Sequence, residues 1–166
     1  MYKYFLIAIF VLIVVLVVCL IIKKSKRKKE VTNKLTKLCN ENGYSLKREK
    51  EEYIIEGNEK RLLFVVSDIP SNSSVTVNSR TTWCLRWGGK RYGRGYPNQR
   101  YLNELNDFLK LKTDDTKVII LYKTTEKILM YLNESEIDEV KEGKTIYDYK
   151  IVTFNNLEKV FAKLFE

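Results

Sequence analysis

Histidine is absent from the 166 residues, and cysteine occurs only at Cys19, Cys39 and Cys84. Without histidine there is no Ser–His–Asp triad and no Cys–His nucleophile pair. No CxxC pair occurs, so a Cys/His zinc site is excluded with them. Thiols this far apart fit a reducing compartment. Proline occurs twice and glycine seven times, while aromatic residues reach 12%. That balance argues against a disordered tail and for a packed domain.

Charge, glycine and proline are also missing from the nineteen residues Tyr4 to Ile22. A helix of that length covers about 30 Å, the thickness of a bilayer's hydrocarbon layer. No small-residue cleavage site follows, so the run reads as an anchor rather than a signal peptide. The expectation is a single transmembrane helix over residues 4–22, with residues 1–3 outside the cytoplasm. Lys23, Lys24, Lys26, Arg27, Lys28 and Lys29 follow at once, against Lys3 alone on the other side. This bias predicts a cytoplasmic carboxyl-terminal part. It also makes residues 23–30 a basic linker facing anionic headgroups. The predicted location is the cell membrane, single-pass, with membrane lipids as partners.

The net charge of +9 belongs mostly to this beginning. Seven cations and one acid precede Val31, so residues 31–166 carry +3. Those residues suffice for one domain. Val31, Leu35, Leu38 and Cys39 recur at helical spacing and Gly43 marks a stop. Strands are predicted over residues 44–49, 52–56 and 61–67, the last two as a hairpin around Gly57-Asn58. Pro70-Ser-Asn-Ser-Ser74 reads as a loop, and residues 75–77 and 82–87 as short strands. A helix is expected from Asn98, with Leu102, Leu105, Phe108 and Leu109 on one face. Strands follow at 117–122 and 127–132, then a short acidic helix from Asn133 to Gly143 and a strand at 149–154. A final helix should start at the capping-box spacing Asn155 to Glu158. The sum is an α/β (α+β) domain with one mixed central sheet flanked by helices.

No acid occurs between Asp68 and Glu104. The same interval holds Arg80, Arg86, Lys90, Arg91, Arg94 and Arg100, interleaved with Trp83, Trp87, Tyr92 and Tyr96. Cations with aromatic and glycine neighbours suit a polyanion groove, where arginine meets phosphate and rings stack on bases. Arg80, Arg86, Lys90, Arg91, Arg94, Arg100, Trp87 and Tyr92 are therefore the candidate nucleic-acid contacts.

Trp83, a glycine-rich turn, and Tyr96-Pro97-Asn98-Gln99 opening a helix resemble the second half of the nuclease-related domain, a family with a restriction-endonuclease-like fold. Trp83, Pro97 and Gln99 match its motif, Tyr96 stands where the family has Asn, and Val118 to Tyr122 resembles its following strand. The resemblance covers roughly residues 31–165. It implies an acid on one strand and a Glu-x-Lys pair on the next, holding Mg²⁺. Here Phe64-Val65-Val66 leads into Ser67 and Ile69 where Glu and Lys are expected. Asp68 falls on the opposite face of the strand. Glu52 and Glu56 are the remaining candidates for the upstream acid.

The catalytic constellation thus reads as degenerate, with no metal and no cofactor expected. The leading expectation is a membrane-anchored, non-catalytic module that binds nucleic acid or a partner. Two rivals stand beside it. One is an active Mg²⁺-dependent nuclease using Glu52, Glu56 or Asp68. The other is a membrane-tethered protein-interaction domain with no nucleic-acid role.

Overall fold

Between Tyr4 and Asn42 no glycine or proline interrupts the chain, and the backbone runs as one helix, α1, Tyr2–Asn42. The computed structural model describes residues 2–57, 59–89, 96–123, 125–132 and 136–166, with backbone alone for residues 2, 3, 5, 6 and 8. Two compact units divide the chain, Met1–Leu38 and Cys39–Glu166.

In the first unit, residues 23–30, expected as a linker, continue the helix, because Lys, Arg and Glu are good helix formers. From Ile9 to Ile22 every side chain is apolar and exposed. The expected membrane-crossing helix is corrected. Among the described residues no helix is long and apolar enough to cross a membrane.

The second unit begins with the end of α1. Gly43 takes φ +71° there, and the Tyr44 amide donates to the Cys39 carbonyl at 2.9 Å. Glycine closes the helix because only it adopts this left-handed geometry without a Cβ penalty. Strands β1 (Ser45–Glu49), β2 (Glu52–Gly57) and β3 (Lys60–Asp68) then form an antiparallel meander.

The chain next crosses to a second sheet. Strands β4 (Ser73–Val77), β5 (Trp83–Trp87) and β6 (Asn98–Tyr101) are antiparallel neighbours. A 3-10 turn at Asn103–Leu105 and the short helix α2 (Asn106–Lys110) return the chain to the first sheet. There β7 (Thr116–Tyr122) pairs parallel to β3. Strands β8 (Lys127–Tyr131) and β9 (Ile137–Glu139) extend the second sheet, with β8 parallel to β4. Finally β10 (Thr145–Ile146) and β11 (Tyr149–Thr153) complete the first, and α3 (Leu157–Val160) follows. The strand orders are β1-β2-β3-β7-β11-β10 and β6-β5-β4-β8-β9.

The parallel pair β3/β7 therefore leaves one sheet and re-forms as β4/β8 in the other. Asn72 and Lys123 mark the two corners with φ +55° and +72°. Asparagine tolerates that region, whereas lysine is strained there. The corners are tied by Ile69 N–H to Tyr122 O at 3.2 Å and by Glu126 N–H to Ser73 O at 2.7 Å. Between the sheets lies one core, with Leu63, Ile119, Leu121 and Ile151 on one side. Val75, Val77, Trp83, Leu85 and Ile128 face them, and Leu105, Phe108 and Leu109 close an end. Each such side chain, fully buried, contributes about 1.5–3 kcal/mol before the opposing chain entropy.

Several expectations change accordingly. A single central sheet flanked by helices becomes two facing sheets. The helix expected from Asn98 begins as β6, because Asn98 to Tyr101 complete a hairpin with Trp87 to Cys84. Only from Asn103 does the apolar periodicity become helical. The acidic helix expected from Asn133 to Gly143 contains strand β9 instead, with Asn133 itself outside the described residues. The last helix starts at Leu157 without a side-chain cap, and Asn156 Nδ2 donates instead to Glu142 Oε1 at 2.8 Å.

Candidate nucleic-acid interface

The antiparallel register of β2 and β3 decides what the acids can do. Glu56 lies opposite Arg61, while Glu52 lies opposite Val65. Asp68 is seven residues beyond Arg61 on β3, or about 23 Å at strand rise. Glu56 pairs with Lys47 at 3.3 Å and Arg61 at 3.6 Å. Glu52, opposite Val65, shares its sheet face with Ser67, whereas Asp68 lies three residues beyond Val65 and its side chain alternates to the other face. Glu52, Glu56 and Asp68 do not converge on one point. Ser67 and Ile69, at the Glu and Lys positions of the resemblance, are 1% and 3% exposed, and Ser67 Oγ has no hydrogen-bond partner. Among the described residues no group of three potential ligands could hold a metal.

The acid-free interval looks different in space. Arg80 donates to both carboxylate oxygens of Asp148, at 3.1 and 2.9 Å. The same carboxylate meets Lys117 Nζ at 2.5 Å. Lys117 is buried and also donates to the carbonyls of Leu109 and Leu111, at 3.0 and 3.1 Å. Partial burial of Asp148 works to raise its carboxyl pKa, but the Arg80 and Lys117 hydrogen bonds outweigh that and hold it below the usual range. Arg100 forms a bidentate pair with Glu104 at 2.9 and 3.0 Å. Two of the six candidate cations thus meet acids lying just outside the interval or far along the chain. Lys90, Arg91, Tyr92 and Arg94 lie outside the described residues. Arg86 sits on β5, half-buried.

The aromatic candidates divide in the same way. Trp83 is 1% exposed and its ring lies 5.3 Å from that of Tyr149. Trp87 packs against the inter-sheet core. Trp83 is thus a core residue, and Trp87 is partly buried at the core's edge. Tyr96 donates to Glu126 at 2.6 Å. Its phenol is pushed up to about 12, by desolvation first and then by that carboxylate. Pro97 crowds Gly88, where an added Cβ would sit 2.6 Å from Pro97 Cγ. Gln99 lies on β6 opposite Arg86. The motif residues therefore shape the β5–β6 hairpin rather than a helix start.

Sequence spacing did not reveal what the strands place side by side on the outer face of the second sheet. The inner face is fixed by Val75, Val77, Leu85 and Ile128, so their strand neighbours point outward. Across the sheet, Arg86 pairs with Ser74 and Ser74 with Lys127; Tyr101 pairs with Cys84, Cys84 with Thr76 and Thr76 with Leu129. Alternation on β4 and β8 would have given each strand's outward set, but not the pairing that joins them.

Of the remaining described features, a cavity of about 400 Å³ is lined by Met130, Asp138, Glu139, Val140, Lys144 and Ile146, among others. Glu142 accepts from the Thr153 amide at 2.7 Å, the Thr153 hydroxyl and Asn156, which holds the turn into α3. The basic run of α1 keeps Lys23, Lys24, Lys26 and Lys29 exposed, with Arg27 and Lys28 partly buried. Comparison of the chain with family models, with curated proteins and with solved structures gives no match.

Proposed function

We propose that this chain is a membrane-attached binding module that holds nucleic acid, without cutting it, at the cytoplasmic face of the cell membrane. The observation that supports the attachment is the basic run of six cations in seven residues, with Lys23, Lys24, Lys26 and Lys29 exposed. The cations then meet anionic headgroups at about 1 kcal/mol each.

The non-catalytic part of the reading is supported by the separation of Glu52, Glu56 and Asp68 and by the buried Ser67 and Ile69. Descent from nuclease-related domains belongs to the same proposal. The β1–β3 meander supports it, with Glu52 and Ser67 on one face of adjacent strands. Strand β6, where the motif calls for a helix, departs from it. Binding is supported by Arg86 on a sheet face and by the cations at positions 90, 91 and 94.

The test uses the full chain reconstituted with anionic vesicles. Co-flotation with the vesicles and retention of a labelled oligonucleotide, weakening steeply with salt, is the expected result. Failure to float removes the attachment. Flotation without any oligonucleotide at low salt leaves a protein-interaction module as the surviving reading.

A further inference from the structure

Strand β9 is an edge of the second sheet and β10 an edge of the first, and residues 140–144 join them. The cavity of about 400 Å³ opens between these two edges. Its apolar wall is Met130, Val140 and Ile146, each packed with the inter-sheet core. Asp138 lies opposite Met130 in the register, so its side chain takes the same, inward face. Glu139, one residue on, turns to the outer face, where it meets Lys127 at 3.9 Å. Lys141 and Lys144 hold the other rim. Their turn is closed by Lys144 N–H to Lys141 O at 3.2 Å and tied to β11 by Gly143 N–H to Ile151 O at 2.9 Å. Between them, Glu142 is taken up by Thr153 and Asn156. Asp138, Lys141 and Lys144 are all exposed. Among the described residues neither lysine meets a carboxylate, and Asp138 accepts only from the amide of Glu139, at 2.8 Å.

We propose that this cleft binds a free α-amino acid with an apolar side chain. Its ammonium meets Asp138, its carboxylate meets Lys141 and Lys144, and its side chain lies against Met130, Val140 and Ile146. The site is separate from the nucleic-acid reading above and does not depend on it. Charges of both signs line one space without neutralising each other, which suits a molecule that carries both. Asp138 repels a phosphate chain, and a purely apolar ligand would desolvate three charges with nothing in return. An internal peptide segment lacks the adjacent ammonium and carboxylate. The volume lies toward the lower end of small-molecule pockets, about 300–1,000 Å³, which suits a molecule of amino-acid size with some of its water. Because the cleft lies at the sheet edges with its charged rim exposed, a ligand reaches it without any strand moving.

Methionine occurs only at Met1 and Met130, so isotope labelling of the methionine methyl groups gives an NMR signal from inside the cleft. The experiment titrates the labelled full chain in detergent micelles with L-leucine, glycine, isocaproate and isoamylamine. Leucine should shift the Met130 methyl resonance saturably. Glycine lacks the side chain and should bind about 10- to 100-fold more weakly. Isocaproate lacks the ammonium and isoamylamine the carboxylate, and each should lose about 5-fold. Asp138→Asn should weaken leucine about 5-fold and leave isocaproate unchanged. Lys144→Gln should weaken leucine and isocaproate and leave isoamylamine unchanged. A folding defect would weaken every probe alike, so the crossed pattern is told apart from one. Absence of a saturable Met130 shift at any soluble concentration of leucine overturns the site. Isocaproate or isoamylamine binding as tightly as leucine, or losses that ignore which charge the probe lacks, overturns the assigned ligand class.

Discussion

Replacing Asp148 by alanine separates two roles for Arg80, phosphate contact and structural tie. Asp148 bridges Arg80, on the turn between β4 and β5, to Lys117 at the start of β7. The Lys117 side chain is 1% exposed, and a buried charge stripped of its partner costs about 3–5 kcal/mol. Two features reduce that figure. Lys117 keeps its two carbonyl acceptors, and Asp148 is itself 33% exposed. The expected loss for Asp148→Ala is about 2 kcal/mol. Lys117→Met leaves Asp148 with Arg80 and frees two carbonyls near the end of α2, at about 1 kcal/mol. The double variant should cost less than the two together by about 1 kcal/mol, because no charge is then stranded. Denaturant unfolding of the full chain, followed by the fluorescence of Trp83 beside Tyr149, reads these values. Strict additivity, or an Asp148→Ala loss under about 0.5 kcal/mol, would refute the bridge. Acid gives a second reading. A carboxyl held low in the folded state contributes stability above its unfolded value near 3.9, lost as pH falls through the folded value. The parent should therefore lose stability more steeply than Asp148→Asn below about pH 4. Arg80→Ala should lower the unfolding midpoint yet leave the salt slope of oligonucleotide binding untouched.

Removing the Glu142 carboxylate as Glu142→Ala strands the Thr153 amide and Asn156; a loss of about 2 kcal/mol is expected in thermal melts, and no change would show that water serves equally well. At the Lys123 corner, glycine relieves φ +72°, so Lys123→Gly should stabilise by up to about 1 kcal/mol, with destabilisation counting against the corner geometry. Neutralising Lys23, Lys24, Lys26 and Lys29 should cut affinity for anionic vesicles by several kcal/mol at about 1 each and weaken its salt dependence; vesicle sedimentation checks this. The full chain should leave plasmid intact with Mg²⁺ or Mn²⁺. Ser67→Glu with Ile69→Lys would place two charges at positions 1% and 3% exposed, so the pair should unfold the domain rather than restore cutting. Metal-dependent nicking lost in Asp68→Ala would refute the non-catalytic reading.

Much of this protein was written locally. The meander over residues 45–68, the buried β-branched strand from Val118, and the stop at Gly43 follow from alternation, side-chain type and one left-handed glycine. Each is a property of neighbours along the chain. The exclusion of a histidine-based triad or nucleophile pair is likewise complete in the composition. The tertiary structure decided what depends on partners far apart in sequence. Asn98 to Tyr101 carry a helical neighbourhood, yet antiparallel bonds to Trp87 through Cys84 make them a strand. The two-sheet architecture arises because β3 and β7 turn their corners together, a pairing across some fifty residues that no window of periodicity contains. The acid-free interval shows the same limit in charge. Its six cations are isolated along the chain, but folding delivers Asp148 to Arg80 across 68 residues and Glu104 to Arg100 across four. Coulomb attraction acts through space, so only the fold could say which of these arginines remains to meet a ligand.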